Sequence, residues 1–165
     1  NYDPETGDFT WKKSRGSKKE GKRAGCLDKK SKYIRVSVDG ILHRAHRLAF
    51  LYMTGDLPLH ELDHINRIRD DNRWINLRPA TRSENNRNSG VRVNNRSGFS
   101  GVSWHKATKK WRAQITVFSD KIYLGQYECP VHAAYLYDIA AKKHFGEFSY
   151  QNFTGPASYC MALKE

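Results

Sequence analysis

ELDHINRIRDDNRWINLRPATRSENN, residues 61–86, holds two strand signals, a polar loop and a helix start. Glu61 to Asn66 reads as a short strand that runs into the loop Asn66 to Trp74, and Asn76-Leu77-Arg78 as a second strand. Thr81-Arg82-Ser83-Glu84 has the form of a capping box: a hydroxyl to cover an orphan N–H, and a glutamate three residues on. A helix is therefore expected to begin at 81 and run through Asn85. If the two strands pair and the helix lies across both, a compact ββα unit brings Asp63, His64 and Asn85 together.

Such a grouping has a definite chemistry. A carboxylate oxygen (Asp63) and an amide oxygen (Asn85) suit a hard divalent cation whose shell is completed by water and phosphate. A neutral imidazole beside it, His64, is suited to take a proton from water attacking a phosphodiester. Asn76 is placed either to hold the His64 loop or to orient the imidazole. Spacing alone leaves another reading open, in which His64 is a hydrogen-bonded turn residue.

Charge points to the same class of partner. Lys and Arg number 29 against 17 Asp and Glu, a net charge of +12 over 165 residues, which favours a polyanion. The excess is spread along the chain, but residues 63–97 differ in kind: all eight bases there are Arg, and eight Asn accompany them. Arginine presents a planar fork to phosphate, so Arg67, Arg69, Arg73, Arg78 and Arg82 are expected phosphate contacts. Mean hydropathy is −0.80 and no apolar run approaches the roughly 18 residues of a membrane span. A soluble protein without a membrane partner is expected. Cys26, Cys129 and Cys160 are widely spaced and odd in number, which argues against a disulfide framework and against a structural zinc site.

Upstream, Phe9-Thr10-Trp11 is a strand candidate and residues 12–32 read as a basic loop. Tyr33 to Val38 alternates with period two, Asp39-Gly40 signals a hairpin into Ile41-Leu42-His43, and a helix is expected over about 44–54, before Gly55. His46 is expected as a buried, hydrogen-bonded helix residue. Downstream, residues 89–97 have no period and read as a basic linker, with Arg87, Arg92 and Arg96 as expected contacts to the polyanion. Val102 to His105, Lys110 to Val117 and Ile122 to Tyr127 are three strand candidates, followed by a helix from Pro130 to Gly146. Alternation puts Ser103, His105, Lys110, Arg112, Gln114, Thr116, Lys121 and Tyr123 on the exposed face, and Trp104 and Trp111 inward as core.

Leu62-Asp63-His64-Ile65-Asn66, Asp71-Asn72-Arg73, Asn76-Leu77-Arg78 and Ser83-Glu84-Asn85-Asn86, with Ala45-His46-Arg47-Leu48-Ala49 upstream, resemble the HNH endonucleases. The zinc-free branch of phage homing and nicking enzymes is the nearest in pattern. That resemblance implies Asp63 and Asn85 as ligands of one divalent metal, Mg²⁺ or Mn²⁺, His64 as general base, and Asn76 as the structural Asn of the motif. Ser100-Gly101-Val102, Lys110-Trp111, Ala113-Gln114-Ile115, Tyr123 to Tyr127, Ala133-Ala134, Tyr137-Asp138, Ala140-Ala141 and Asn152-Phe153 are similar to the AP2 DNA-binding domain. Ser103 and His105 stand where plant AP2 factors carry arginines, so their target site is not carried over.

The expectation is an α+β chain: an HNH module over 1–88, the linker 89–97, an AP2-like three-stranded antiparallel sheet packed on one helix over 98–155, and a tail, 156–165. The expected activity is metal-dependent hydrolysis of double-stranded DNA, by a monomer or homodimer. The resemblance implies the cytoplasm of a bacterial host, phage-infected or not. The competing reading is a non-catalytic, sequence-specific DNA-binding protein or regulator.

Overall fold

The computed structural model describes residues 1–155; the expected tail, with Cys160, lies outside them. The chain divides into two compact units, Asn1–Asn85 and the residues from Asn86 on. Both are mixed α and β, built from small antiparallel sheets. No helix among the described residues is long and apolar enough to cross a membrane.

In the first unit β1 (Phe9–Thr10) pairs with β2 (Arg23–Ala24), and β3 (Cys26–Leu27), β4 (Ile34–Val38) and β5 (Ile41–Arg44) form a three-stranded sheet in that order. The segment 12–32, expected as a loop, thus contributes two short strands. Two-residue strands are too short to show alternation, and their pairing with Phe9–Thr10 and with β4 is what defines them. Asp39 and Gly40 both take positive φ, 49° and 81°, as a two-residue hairpin between right-twisted strands requires.

Helix α1 (Ala45–Thr54) buries Ala45, His46 and Ala49 and ends at Gly55, whose left-handed φ of 85° lets its N–H reach Leu51 O. The two alanines let the helix approach closely. Ala45 packs with Ala24 and Val36, and Ala49 with Tyr2 and Leu77. Strands β6 (Glu61–His64) and β7 (Leu77–Ala80) form an antiparallel pair in which Asp63 faces Arg78 and His64 faces Leu77. Pro79 is tolerated because a two-stranded sheet leaves one side of each strand unpaired.

The capping box forms: Thr81 N donates to Glu84 Oε2 at 2.8 Å and Glu84 N to Thr81 Oγ1 at 3.3 Å. It starts the short helix α2 (Arg82–Arg87).

In the second unit β8 (Val102–His105), β9 (Lys110–Val117) and β10 (Asp120–Tyr127) form an antiparallel sheet in the order β10-β9-β8, packed on α3 (Pro130–Phe145). Ala133, Ala134, Ala140 and Ala141 are buried on α3 and bring it close to Val102, Ala113 and Ile115. Gly101, at φ 74°, is obligatory in a second sense: a Cβ there would run into the ring of Tyr137.

Asp138 is buried on α3 and accepts from Asn152 N (2.9 Å), Asn152 Nδ2 (2.8 Å) and Phe153 N (2.9 Å). That clamp ties residues 152–153 to the helix, while Asn152 Oδ1 takes the N–H of Ser100.

One core expectation fails. Trp104 lies on the inward face with Val102 but is 48% exposed. There the face opens into a cavity of about 820 Å³ lined by residues of the 89–97 segment, so the indole meets Trp111 edge-on, at 5.0 Å between ring centroids, rather than being enclosed.

Candidate active site

The loop between β6 and β7 is closed by Asn76. Its carbonyl accepts Ile65 N (2.9 Å), its Oδ1 accepts Asn66 N (2.9 Å), and its Nδ2 donates to Asp71 O (2.8 Å). These bonds fasten the two ends of the loop to each other. Asp71 is the other fastener. Its Oδ2 accepts Asn66 Nδ2 and Arg73 Nη2, both at 2.6 Å, and its Oδ1 accepts Arg73 Nε at 2.8 Å. The Arg73 bonds are the largest of the effects that pull the Asp71 pKa down to about 2.

His64 is buried at the end of β6. Its Nε2 lies 3.3 Å from Oδ1 of Asn72, the one large side chain among the described residues with less than 2% exposure. Asn72 Nδ2 donates to Asp70 O at 3.3 Å, so the amide oxygen is the end turned to the imidazole. Nε2 must then carry the proton, which leaves Nδ1 as the basic nitrogen. Burial pushes the His64 pKa down. The Asn72 bond and the charges of Asp63 and Asp71 pull the other way, and Arg69 adds to the depression.

Asn72 is itself held from the start of the chain. Tyr2 Oη donates to its carbonyl at 2.7 Å, and burial above all pushes the Tyr2 hydroxyl up to about 12, so it stays a donor. Gly7, at φ 76°, lies where a Cβ would come within 2.5 Å of the Asn72–Arg73 backbone.

His46 stands against His64 edge to face, with centroids 5.0 Å apart, and Tyr33 lies 5.0 Å from His46 and 5.9 Å from His64. It was expected to be buried and hydrogen-bonded. It is buried, but its Nδ1 has no hydrogen-bond partner among the described residues, and the rings of Tyr33 and His64 lie against it. Burial drives its pKa down to about 3, so His46 is neutral at ordinary pH.

Asp63 is buried and its Oδ2 accepts both Nε (2.9 Å) and Nη2 (2.7 Å) of Arg78. Asn85, on α2, donates through Nδ2 to Oε2 of Glu61 at 2.6 Å, which ties the helix to the first residue of β6. Glu61 was not among the expected site residues, although its position two before Asp63 on one strand face was available as a signal.

The expected arginines divide. Arg73 and Arg78 are held by carboxylates, and Arg67 sits in the loop at φ 66°. Arg69 bonds Ser31 O at 3.1 Å with its guanidinium 5.3 Å from the Tyr33 ring, and Arg82 is exposed on α2. Arg87 lies over the rings of Phe145 and Phe118, while Arg92 and Arg96 line the cavity beside Trp104.

The oxygen donors that could serve a cation here are those of Asp63, Asn85 and Glu61. No group of three or more His, Cys, Asp or Glu able to hold a metal occurs among the described residues. The set fits a hard cation that keeps much of its water, as Mg²⁺ does, and does not fit one that needs a closed protein shell.

On the second unit's sheet, Ser103 faces Arg112, His105 faces Lys110, Gln114 faces Tyr123 and Thr116 faces Lys121 across the ladder, so the eight expected residues share one face. A bulge between Tyr123 and Gly125 brings Gln126 opposite Arg112 and adds it to that row. Gln126 Oε1 accepts from Thr108 Oγ1 at 2.6 Å. Strict alternation misses Gln126, and Gly125 within the strand was the available sign of a bulge.

Residues 43–87 match the family model of the HNH endonucleases. That segment runs from β5 through α1 and the β6–β7 pair into α2, so it contains His46, Asp63, His64, Asn72, Asn76 and Asn85. HNH nucleases act on DNA and generally use a divalent metal. No curated protein and no solved structure matches the chain.

Proposed function

We propose that this chain is a metal-dependent DNA endonuclease of the HNH type, of the zinc-free kind found in phage homing and nicking enzymes. The observation that carries the reading is the buried His64 beside Asp63, with Nε2 against Asn72 and Nδ1 left as the base, inside the segment that matches the nuclease family.

In this reading Asp63 and Asn85 would hold one Mg²⁺ or Mn²⁺, which would supply charge stabilisation to the phosphate and the leaving oxygen. The protein groups do the rest. His64 Nδ1 accepts a proton from the attacking water as the new P–O bond forms and the phosphate ester bond opposite it breaks. Asn72 keeps the imidazole in the required tautomer, and the ring packing of His46 and Tyr33 holds its plane. Asn76 and Asp71 keep the loop from spreading. Arg69, whose guanidinium lies 5.3 Å from the ring of Tyr33, is assigned to meet a phosphate at this site.

The second unit is assigned, as an AP2-like reader over 98–155, to double-stranded DNA. Arg112, Gln114 and Gln126 are the side chains suited to base edges, since Arg pairs with guanine and Gln with adenine in the major groove. Ser103, His105, Lys110, Thr116, Lys121 and Tyr123 flank them, and Arg87, Arg92 and Arg96 belong to the phosphate-contacting set. A monomer with one such centre nicks, and a homodimer can cut both strands. The bacterial cytoplasm, with or without phage, is the setting that goes with this activity.

Supercoiled plasmid incubated with the protein tests the reading. Nicked or linear product is expected with Mg²⁺ or Mn²⁺, and none with chelator or with His64→Ala. DNA binding without any cleavage by the wild type would leave the non-catalytic DNA-binding reading in its place.

A further inference from the structure

An asparagine serves a cation only through its amide oxygen, because the nitrogen carries two protons and offers no lone pair. Which end of the Asn85 amide faces the metal is therefore decided by whatever holds its nitrogen. Here Nδ2 donates to Oε2 of Glu61 at 2.6 Å. An ionised carboxylate only accepts, so the reversed amide would set oxygen against oxygen at that contact. Glu61 is the first residue of β6 and Asp63 the third, so their side chains leave the same face of the strand. One short strand thus carries a carboxylate assigned to the metal and, two positions earlier, another bonded to the second ligand.

We propose that Glu61 is a positioning residue which fixes Asn85 with its amide oxygen directed to the divalent cation. The inference rests on the metal-dependent reading above and extends it to a residue outside the Asp63, His64, Asn76 and Asn85 set. Partners of metal ligands that act in this way typically cost about 10- to 100-fold in metal affinity when removed. Glu61 is exposed, so its loss removes no core packing.

The test is a titration of the full chain with Mn²⁺, without DNA, following free Mn²⁺ by electron paramagnetic resonance, with thermal melts alongside. Glu61→Ala is expected to weaken Mn²⁺ binding about 10-fold or more. Glu61→Gln keeps an acceptor oxygen at the same reach and is expected to stay within about threefold of wild type. In Asn85→Asp both ends of the side chain are oxygen, so adding Glu61→Ala to that variant should cost no further affinity.

Wild-type affinity in Glu61→Ala overturns the proposal. So does a loss in Glu61→Gln as large as in Glu61→Ala, which would make Glu61 a charged ligand instead. A further loss on the Asn85→Asp background overturns it as well. If Asp63→Ala loses Mn²⁺ while Glu61→Ala does not, only the Glu61 inference falls. If the wild type binds none, the metal-dependent reading falls with it.

Discussion

Nε2 of His64 meets Oδ1 of Asn72 at 3.3 Å, and the Asn72 carbonyl in turn receives the hydroxyl of Tyr2 at 2.7 Å. The imidazole at the centre of the site is thus oriented by a side chain with 1% of its surface exposed, anchored from a residue 70 positions earlier in the chain.

Substitution of Asn72 should therefore act on rate more than on DNA affinity. Asn72→Ala leaves the imidazole free to take the other tautomer, and single-turnover nicking is expected to slow by about 10- to 100-fold. Asn72→Asp puts a carboxylate against Nε2, which favours imidazolium, so the pH at which the rate rises should move upward. A profile unchanged in Asn72→Asp would mean that this contact does not set the protonation of His64.

Acid should loosen the first unit through its buried imidazoles. His46 is held near 3 and His64 below its ordinary value of about 6.5, so the unfolded chain takes up protons first as pH falls. The stability these groups confer is complete above about pH 6.5 and is lost progressively below it, for His46 until about pH 3. Melting temperature measured from pH 7.5 down to 4 should fall, and His46→Phe should flatten that slope. A slope equal to wild type in His46→Phe would place the acid sensitivity elsewhere.

Loop-holding residues should separate stability from chemistry. Asn76→Ala removes two side-chain bonds to the backbone and is expected to cost about 1–3 kcal/mol, read as a lower denaturation midpoint, with a milder loss of rate than His64→Ala. Asp71, with its pKa near 2, contributes stability that is present above about 3.8 and lost as pH falls toward 2. Asp71→Asn should remove that low-pH step.

The second unit's sheet should discriminate sequence. Arg112→Ala is expected to cost about 1–3 kcal/mol on a preferred DNA site and less on random DNA, and Gln126→Ala to show the same asymmetry. Filter binding at several salt concentrations checks this, since phosphate contacts alone lose affinity equally on both DNAs. Equal losses would make Arg112 a backbone contact.

Local signals carried the elements well. The capping box at Thr81 and Glu84, the Asp39-Gly40 hairpin and the alternation in β9 each depend on residues close in sequence, and each forms. What escaped the sequence is set by tertiary contact. The partners of Asn72, Tyr2 and His64, lie 70 and 8 positions away, and the Glu61 bond to Asn85 spans 24 positions, so no local pattern announces either. Trp104 obeyed alternation yet lies half-exposed, because period two tells which face a side chain leaves and not whether anything covers that face. Arg73 and Arg78 are expected from composition as phosphate contacts, and their pairing with Asp71 and Asp63 is a tertiary fact that composition does not carry.

The anchoring of Asn72 by Tyr2 and of its backbone by the notch at Gly7 also bears on portability. The stretch 43–87 carries every side chain assigned to catalysis, yet excised alone it would leave the Asn72 carbonyl without its phenol and His46 without the ring of Tyr33. Shuffled into another protein as a cassette, it would bring the reacting atoms and leave their scaffolding behind. Exchange of this site between proteins is expected to succeed with junctions ahead of Tyr2, and to yield poorly ordered sites with junctions near residue 43.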